Sequence, residues 1–219
     1  MISLILADTE LERVPSICTE GEGMPRVCNV KDEQLRGILI LDSYIHHHIV
    51  QGMEGAERRG RPDIVHSFLV LAQNSRACRQ GKLRCYVHTR ADETIVVGPR
   101  FQVEQNYMAF LQGMSELILK GAVGAGEEGM ILREEVTLKL LLHELMPDMV
   151  VALTPSGKRL DLKGLLEGSR KKHIAVIIGG FPEGDYRSPV YEMAEIKVSL
   201  DEELLTVPDV TAQVLASIP

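Results

Sequence analysis

The stretch HIAVIIGGFPEG, His173 to Gly184, decides how the chain is read. Ile174 to Ile178 are apolar without alternation, the pattern of a strand buried on both faces, and two glycines end the run. Glycines at that point let backbone NH and carbonyl groups come close to a ligand, although composition alone favours a plain turn. The loop is not a dinucleotide fingerprint, because Pro182 breaks the helix that would have to start there. No Gly-Lys-Ser/Thr follows to make a phosphate loop either.

Two neighbouring runs repeat the pattern. MVVAL (Met149 to Leu153) predicts a strand followed by a TPSG turn, and AEIKVSL (Ala194 to Leu200) predicts another strand. Ligands of open α/β sheets bind beyond the carboxyl ends of the strands, and three strands within about 50 residues here deliver small-residue loops. A cofactor pocket at that edge is the expectation.

Upstream, ISLILA reads as a buried strand, ADTELERVPSI (Ala7 to Ile17) as a short helix, and Gly21, Gly23 and Pro25 as a loop. GILIL (Gly37 to Leu41) reads as a second strand, from which Asp42 and Ser43 start a helix. LRCYVHT (Leu83 to Thr89) and TIVVG (Thr94 to Gly98) form a β-hairpin extension within residues 76–104. Asn106 to Leu119 predicts a buried helix, followed by the acidic loop GAVGAGEEG. Further helices are expected around LREEVTLKLLLHEL (Leu132 to Leu145), in LDLKGLLEG (Leu160 to Gly168) and from Pro208 to Ser217. Alternating strands and helices imply an α/β fold, and no linker divides residues 1–219 into separate domains.

Composition excludes several classes. Apolar residues make up 45% and charged residues 25% of 219, the balance of a soluble globular protein. No apolar run reaches the roughly 18 residues that cross a bilayer, and no basic leader opens the chain, so a cytoplasmic protein without membrane contact is expected. Cys18, Cys28, Cys78 and Cys85 lack CxxC spacing and read as buried thiols. His46, His47 and His48 point about 100° apart on a helix and cannot converge on one ion, so no metal is expected. Asp42 and His46 share a helical face, as a structural pair or a functional one.

Charge is uneven. The net charge of −7 hides a basic segment, residues 54–100, with 9 basic and 5 acidic side chains. There ERRGRPDIVHSF (Glu57 to Phe68) crowds Arg58, Arg59 and Arg61 before Pro62. Proline suits the first turn of a helix, Asp63 complements the positive end of its dipole, and Ile64, Val65, Phe68, Leu69 and Leu71 make an apolar face. The basic patch therefore sits at a helix N-terminus.

ILDSYIH (Ile40 to His46), RGRPDIVHSFLVLAQNS (Arg59 to Ser75), LRCYVHT, VIIGGFPEG (Val176 to Gly184) and EIKVSL (Glu195 to Leu200) occur in an order and at separations that resemble a known family along nearly the whole chain. That family is the ribosome-biogenesis pseudouridine methyltransferases of archaea and eukaryotes, of the SPOUT class of knotted α/β methyltransferases. The resemblance implies a largely parallel central sheet with family-specific insertions, a C-terminal trefoil knot and a homodimer. It also implies S-adenosylmethionine as donor, S-adenosylhomocysteine as product, and an rRNA small-subunit hairpin as substrate, methylated on the N1 ring nitrogen of a pseudouridine. On this basis Thr154, Gly157, Gly179, Gly180, Gly184, Ile196, Val198, Ser199 and Leu200 hold the donor. Arg61 and Asp63 are the catalytic pair, with Asp63 either orienting the guanidinium or accepting the ring proton. Arg58, Arg59, Arg61 and Arg100 meet RNA, together with Gln102, Gln105 and Ala109.

The family's arginine series departs here, since its positions hold Gln102, Gln105 and Ala109. Arg58, Arg59, Arg84, Arg90 and Arg100, all in the basic segment, are expected to compensate for it. The competing reading is a non-catalytic assembly factor of the same fold, binding pre-ribosomal RNA and a small-subunit ribosomal protein. A nucleotide-dependent oxidoreductase fits the α/β pattern but lacks its fingerprint.

Overall fold

The computed structural model describes residues 1–15, 17–18, 26–27, 35–168 and 171–219, without the side chains of 17, 18, 26, 27 and 36. In chain order the elements are β1 (Ile2–Thr9), β2 (Ile17–Cys18), β3 (Arg26–Val27), α1 (His47–Val50), α2 (Pro62–Gln73), α3 (Arg76–Arg79), β4 (Leu83–Thr89) and β5 (Thr94–Val97). Then follow α4 (Tyr107–Lys120), β6 (Ala122–Val123), β7 (Met130–Arg133), α5 (Leu138–Leu145), β8 (Met149–Arg159), α6 (Leu162–Gly168), β9 (Ile174–Gly179), α7 (Val190–Met193), β10 (Ile196–Ser199) and α8 (Val207–Ser217).

Eight strands form one mixed sheet in the order β10-β8-β9-β1-β4-β5-β7-β6. The first five are mutually parallel and the last three add antiparallel pairs. β1 lies inside the sheet, registered Ile2 to Ile174 on one edge and Ile2 to Leu83 on the other. All eight of its residues are buried, as expected of a parallel strand covered on both faces. Leu4 and Leu6 pack with Phe68, Leu69 and Leu111 of α2 and α4, whereas Ile5 and Ala7 pack with Leu138, Leu141 and Val190 of α5 and α7.

The predicted helix of Pro62 to about Asn74 is α2, with Pro62 at its first turn. The hairpin is β4 and β5, and both strands belong to the eight-stranded sheet. The Asn106 helix is α4, where the Asn106 side chain caps the first turn by accepting from the Ala109 NH at 3.0 Å.

Other expectations are corrected. ADTELERVPSI is not a helix in its described part, because β1 runs on through Thr9 and no helix is formed over 10–15. The helix expected around LREEVTLKLLLHEL splits: Met130–Arg133 is the strand β7 pairing with β5, and only Leu138–Leu145 is helical. TPSG is not a turn but part of β8. Its residues nevertheless leave the β10 ladder, whose register jumps from Lys197–Ala152 to Val198–Lys158. In GILIL only Ile40 forms a bridge, to Arg13, and the helix after Asp42 begins at His47. The loop GAVGAGEEG contains β6 and a 3-10 turn, Gly126–Glu128. The loop expected at Gly21, Gly23 and Pro25 lies outside the described residues, as do Cys28 and the Cys18 side chain. Cys78 and Cys85 are free and buried. Among the described residues no helix is long and apolar enough to cross a membrane, and no three His, Cys, Asp or Glu side chains gather as a metal site.

Candidate functional site

The middle of β8 and the carboxyl ends of β9 and β10 open onto a cavity of about 590 Å³, within the size range of small-molecule sites. Leu153, Thr154 and Pro155 form one wall, where β8 departs from its ladder. Ile178 and Gly179 at the end of β9, with Phe181 to Tyr186, form the second. Val198 to Asp201 follow from β10, Leu205 to Pro208 lead into α8, and Arg61, just before α2, closes the side with Asp63 and Ser67 of α2.

The walls are held by specific bonds. The Tyr186 hydroxyl donates to the Leu153 carbonyl at 2.8 Å, tying the β8 excursion to the loop after β9. Burial pushes the Tyr186 phenol well above its ordinary pKa, so it stays a donor. Thr154 Oγ1 lies 2.9 Å from the Tyr191 hydroxyl, which donates to Asp185 Oδ1 at 2.6 Å. Phe181, Tyr186 and Tyr191 stack edge to face with centroids 5.4 and 5.7 Å apart. At Gly157 a Cβ would sit 2.6 Å from the Val198 carbonyl carbon, so β8 and β10 can cross there only without a side chain.

Asp8 anchors the far end of the loop. At the close of β1 it takes a left-handed conformation (φ 54°) and accepts from the Arg187 and Ser188 NH groups at 2.8 and 2.9 Å and from the Ser188 hydroxyl at 2.6 Å. Burial would raise its pKa, but the hydrogen bonds from His88 and Ser188 win and lower it to about 2.

Arg61 and Asp63 meet in the bidentate geometry of a guanidinium and a carboxylate, with Nε to Oδ1 and Nη2 to Oδ2 both 2.8 Å. The hydrogen bonds to Asp63 hold Arg61 above its ordinary pKa despite partial burial. Both Asp63 oxygens are thereby engaged.

Eight of the sequence-derived site residues line this one cavity: Arg61, Asp63, Thr154, Gly179, Gly184, Val198, Ser199 and Leu200. Gly157, Gly180 and Ile196 lie behind its walls: Gly157 at the strand crossing, Gly180 against Leu6 and Thr9, and Ile196 in register with Val151. Asp185, Tyr186, Asp201 and Leu205 line the cavity too and were not singled out from sequence, although GDY directly continues the glycine loop.

The other arginines are largely committed elsewhere. Arg58, only 13% exposed, donates from Nε to Glu10 Oε1 at 2.6 Å and from Nη1 to the Asp185 carbonyl at 2.9 Å. Its guanidinium lies 4.1 Å from the Phe181 ring centroid. Arg59 forks onto Glu12, and Arg90 donates to Glu10 at 2.7 Å. Arg100 is exposed and paired with Glu127. Gln102 and Gln105 are exposed, and Ala109 is half-buried in the first turn of α4.

The cavity is acidic, since Asp63, Glu183, Asp185, Asp201 and Glu203 face a single lining cation, Arg61. With apolar walls at Leu153, Ile178, Val198 and Leu205, it suits a ligand that carries both positive charge and a flat apolar group.

Comparison with known proteins agrees with this construction. The pattern of the family described as EMG1/NEP1 methyltransferase matches residues 4–218. The chain is 39% identical over 219 residues to the ribosomal RNA small subunit methyltransferase Nep1 of Pyrococcus furiosus, covering 99% of this chain and 95% of that one. It is 35% identical over 219 residues to the protein of the same description from Methanothrix thermoacetophila, with the same shares covered. The crystal structure of Archaeoglobus fulgidus Nep1 bound to S-adenosylhomocysteine superposes with a TM-score of 0.77 at 26% identity, over 98% of this chain and 95% of that one. The α/β sheet that carries the cavity is thus a shared architecture, and the chain belongs to the EMG1/NEP1 methyltransferase family.

Proposed function

We propose that this methyltransferase uses S-adenosylmethionine to methylate the N1 ring nitrogen of a pseudouridine in a hairpin loop of small-subunit rRNA, during assembly of that subunit. The observation that carries the reading is that Arg61 and Asp63 share one cavity with Thr154, Gly179, Ser199 and Leu200. The donor fits these residues: it is cationic, and the cavity has five carboxylates against one guanidinium and apolar walls for an adenine. Bound there, S-adenosylmethionine supplies an electrophilic methyl group. The chain's own part is placement and charge.

With Nε and Nη2 bonded to Asp63, Arg61 keeps its Nη1 group for a base carbonyl and for the negative charge that develops on the ring as its NH proton passes to solvent water. Asp63 orients the guanidinium, because both its oxygens are already bonded to it. A loop base extruded from its stack can reach such a site, whereas a paired base cannot. The reading extends to a trefoil knot and a homodimer. The knot is supported by the return of the chain from β9 to β10 past the β8 excursion, with Gly157 under Val198. A knotted chain stretched mechanically stays shorter than its full contour length, and light scattering reads the dimer's mass.

The test is transfer of labelled methyl to a short hairpin bearing pseudouridine, with the uridine hairpin as control. Label on the pseudouridine hairpin alone is the expected result. Arg61→Lys, which keeps the charge but loses the fork, should lower kcat at least ten-fold, since each 1.36 kcal/mol of lost transition-state stabilisation is a factor of ten. Tight hairpin binding without transfer at saturating donor would instead make the protein a non-catalytic assembly factor.

A further inference from the structure

With Arg58, Arg59 and Arg90 paired to Glu10 and Glu12, Arg100 paired to Glu127, and Gln102 and Gln105 uncharged, the surface around Arg61 offers RNA little uncompensated charge. It does offer an aromatic ring. Tyr44 is 92% exposed, more than any other large apolar side chain among the described residues.

Its backbone is tightly fixed. Asp42 Oδ1 accepts from the Tyr44 and Ile45 NH groups at 2.8 and 2.9 Å, while Asp42 Oδ2 accepts from the Tyr107 hydroxyl at 2.5 Å. The Asp42 NH donates to His46 Nδ1 at 3.1 Å, and the His46 NH returns to the Asp42 carbonyl at 2.8 Å. The next residue, Ser43, donates its NH to the Gly60 carbonyl at 2.9 Å. Gly60 immediately precedes Arg61 and has no room for a side chain, as a Cβ would lie 2.9 Å from the Ser43 nitrogen. Tyr44 is therefore displayed on a rigid turn bonded directly to the loop that carries Arg61.

The structure assigns Tyr44 to the RNA interface as a stacking platform for one unpaired base of the hairpin loop. This rests on the reading of the protein as an enzyme acting on RNA. Along the chain Tyr44 is next to Ser43 and is followed by the exposed polar residues His47, His48 and Gln51, whereas the centre of a protein interface is a contiguous apolar patch. A base, with an apolar face and polar edges, matches a lone ring with polar neighbours. Fixing the turn in advance also lowers the ordering cost of binding.

The test measures hairpin affinity by anisotropy for wild type, Tyr44→Ala and Tyr44→Phe, with 2-aminopurine placed in turn at each loop position. Tyr44→Ala should weaken binding about ten-fold or more. It should also remove the quenching of one loop 2-aminopurine, while Tyr44→Phe keeps both. Because no charge is removed, the salt slope should not change. S-adenosylhomocysteine affinity should not change either. Hairpin affinity of Tyr44→Ala within two-fold of wild type overturns the assignment, as does an altered monomer–dimer equilibrium with RNA affinity intact, which would make Tyr44 a protein contact. Failure of the broader reading has a different signature, since wild type itself would then neither bind nor methylate the hairpin, and the platform falls with it.

Discussion

Replacing Asp8 by Asn tests whether the loop after β9 is held by a charge. Asn tolerates the left-handed backbone that Asp8 adopts, so the substitution is close to neutral in conformation. It removes the carboxylate that accepts from the Arg187 and Ser188 NH groups and the Ser188 hydroxyl. The folded-state pKa is lowered from 3.8 to about 2. At 1.36 kcal/mol per unit, this is worth about 2 kcal/mol of stability. Because the folded value lies below the unfolded one, that contribution is complete above about pH 4 and is lost as pH falls through about 2. Urea unfolding of both proteins between pH 6 and pH 2.5 gives the difference directly, and acids common to the two chains cancel in it. Wild type should lead near neutrality and lose much of its lead toward pH 2.5. A gap that stays constant across this range would show that Asp8 contributes through shape alone and would refute the electrostatic argument.

Arg58→Ala should lower the melting temperature by several degrees, because it leaves Glu10 buried with only Arg90 as partner; it should also weaken S-adenosylhomocysteine binding by calorimetry, as Phe181 and the Asp185 carbonyl lose their clamp. Gly157→Ala should destabilise the fold by about 1–3 kcal/mol through overlap with the Val198 backbone, read as a lower urea midpoint. Arg100→Ala should leave the salt dependence of hairpin binding close to wild type, because its guanidinium is already paired with Glu127, whereas a slope flattened by about one phosphate contact would place Arg100, 70% exposed on its side chain, in the RNA path. Burial pushes the Cys85 thiol far above its ordinary pKa and raises Cys78 as well, so mass spectrometry should find neither alkylated at pH 8 until the protein is unfolded.

The carboxyl edge of the sheet was legible because parallel strands buried on both faces leave uninterrupted apolar runs, as in MVVAL and HIAVIIGG. α2 was legible because Pro62 and Asp63 mark its start chemically. What failed depended on distant partners. ADTELERVPSI read as a helix after ISLILA, yet β1 continues through Asp8, whose carboxylate is satisfied by residues some 180 positions away. The leucines from Leu132 to Leu145 suggested one long helix, but pairing with β5 claims Leu132 for a strand. The arginine cluster was readable as charge. That Glu10 and Glu12 neutralise most of it was not, since those residues come together only when β1 meets the 58–61 loop.

The place of β1 inside the sheet sets an order of events at the ribosome. ISLILA leaves the exit tunnel before both of its partners, and its edges are completed only by Leu83–Thr89 and then by Ile174–Gly179. At about 5–20 residues per second, the second partner follows on the order of ten seconds or more after the first strand. For that interval a strand whose eight residues are all buried in the finished fold keeps an unpaired edge, a template for wrong pairing. Removing the chain beyond residue 173 would make that exposure permanent, so such a truncation is expected to aggregate rather than persist as a smaller folded unit.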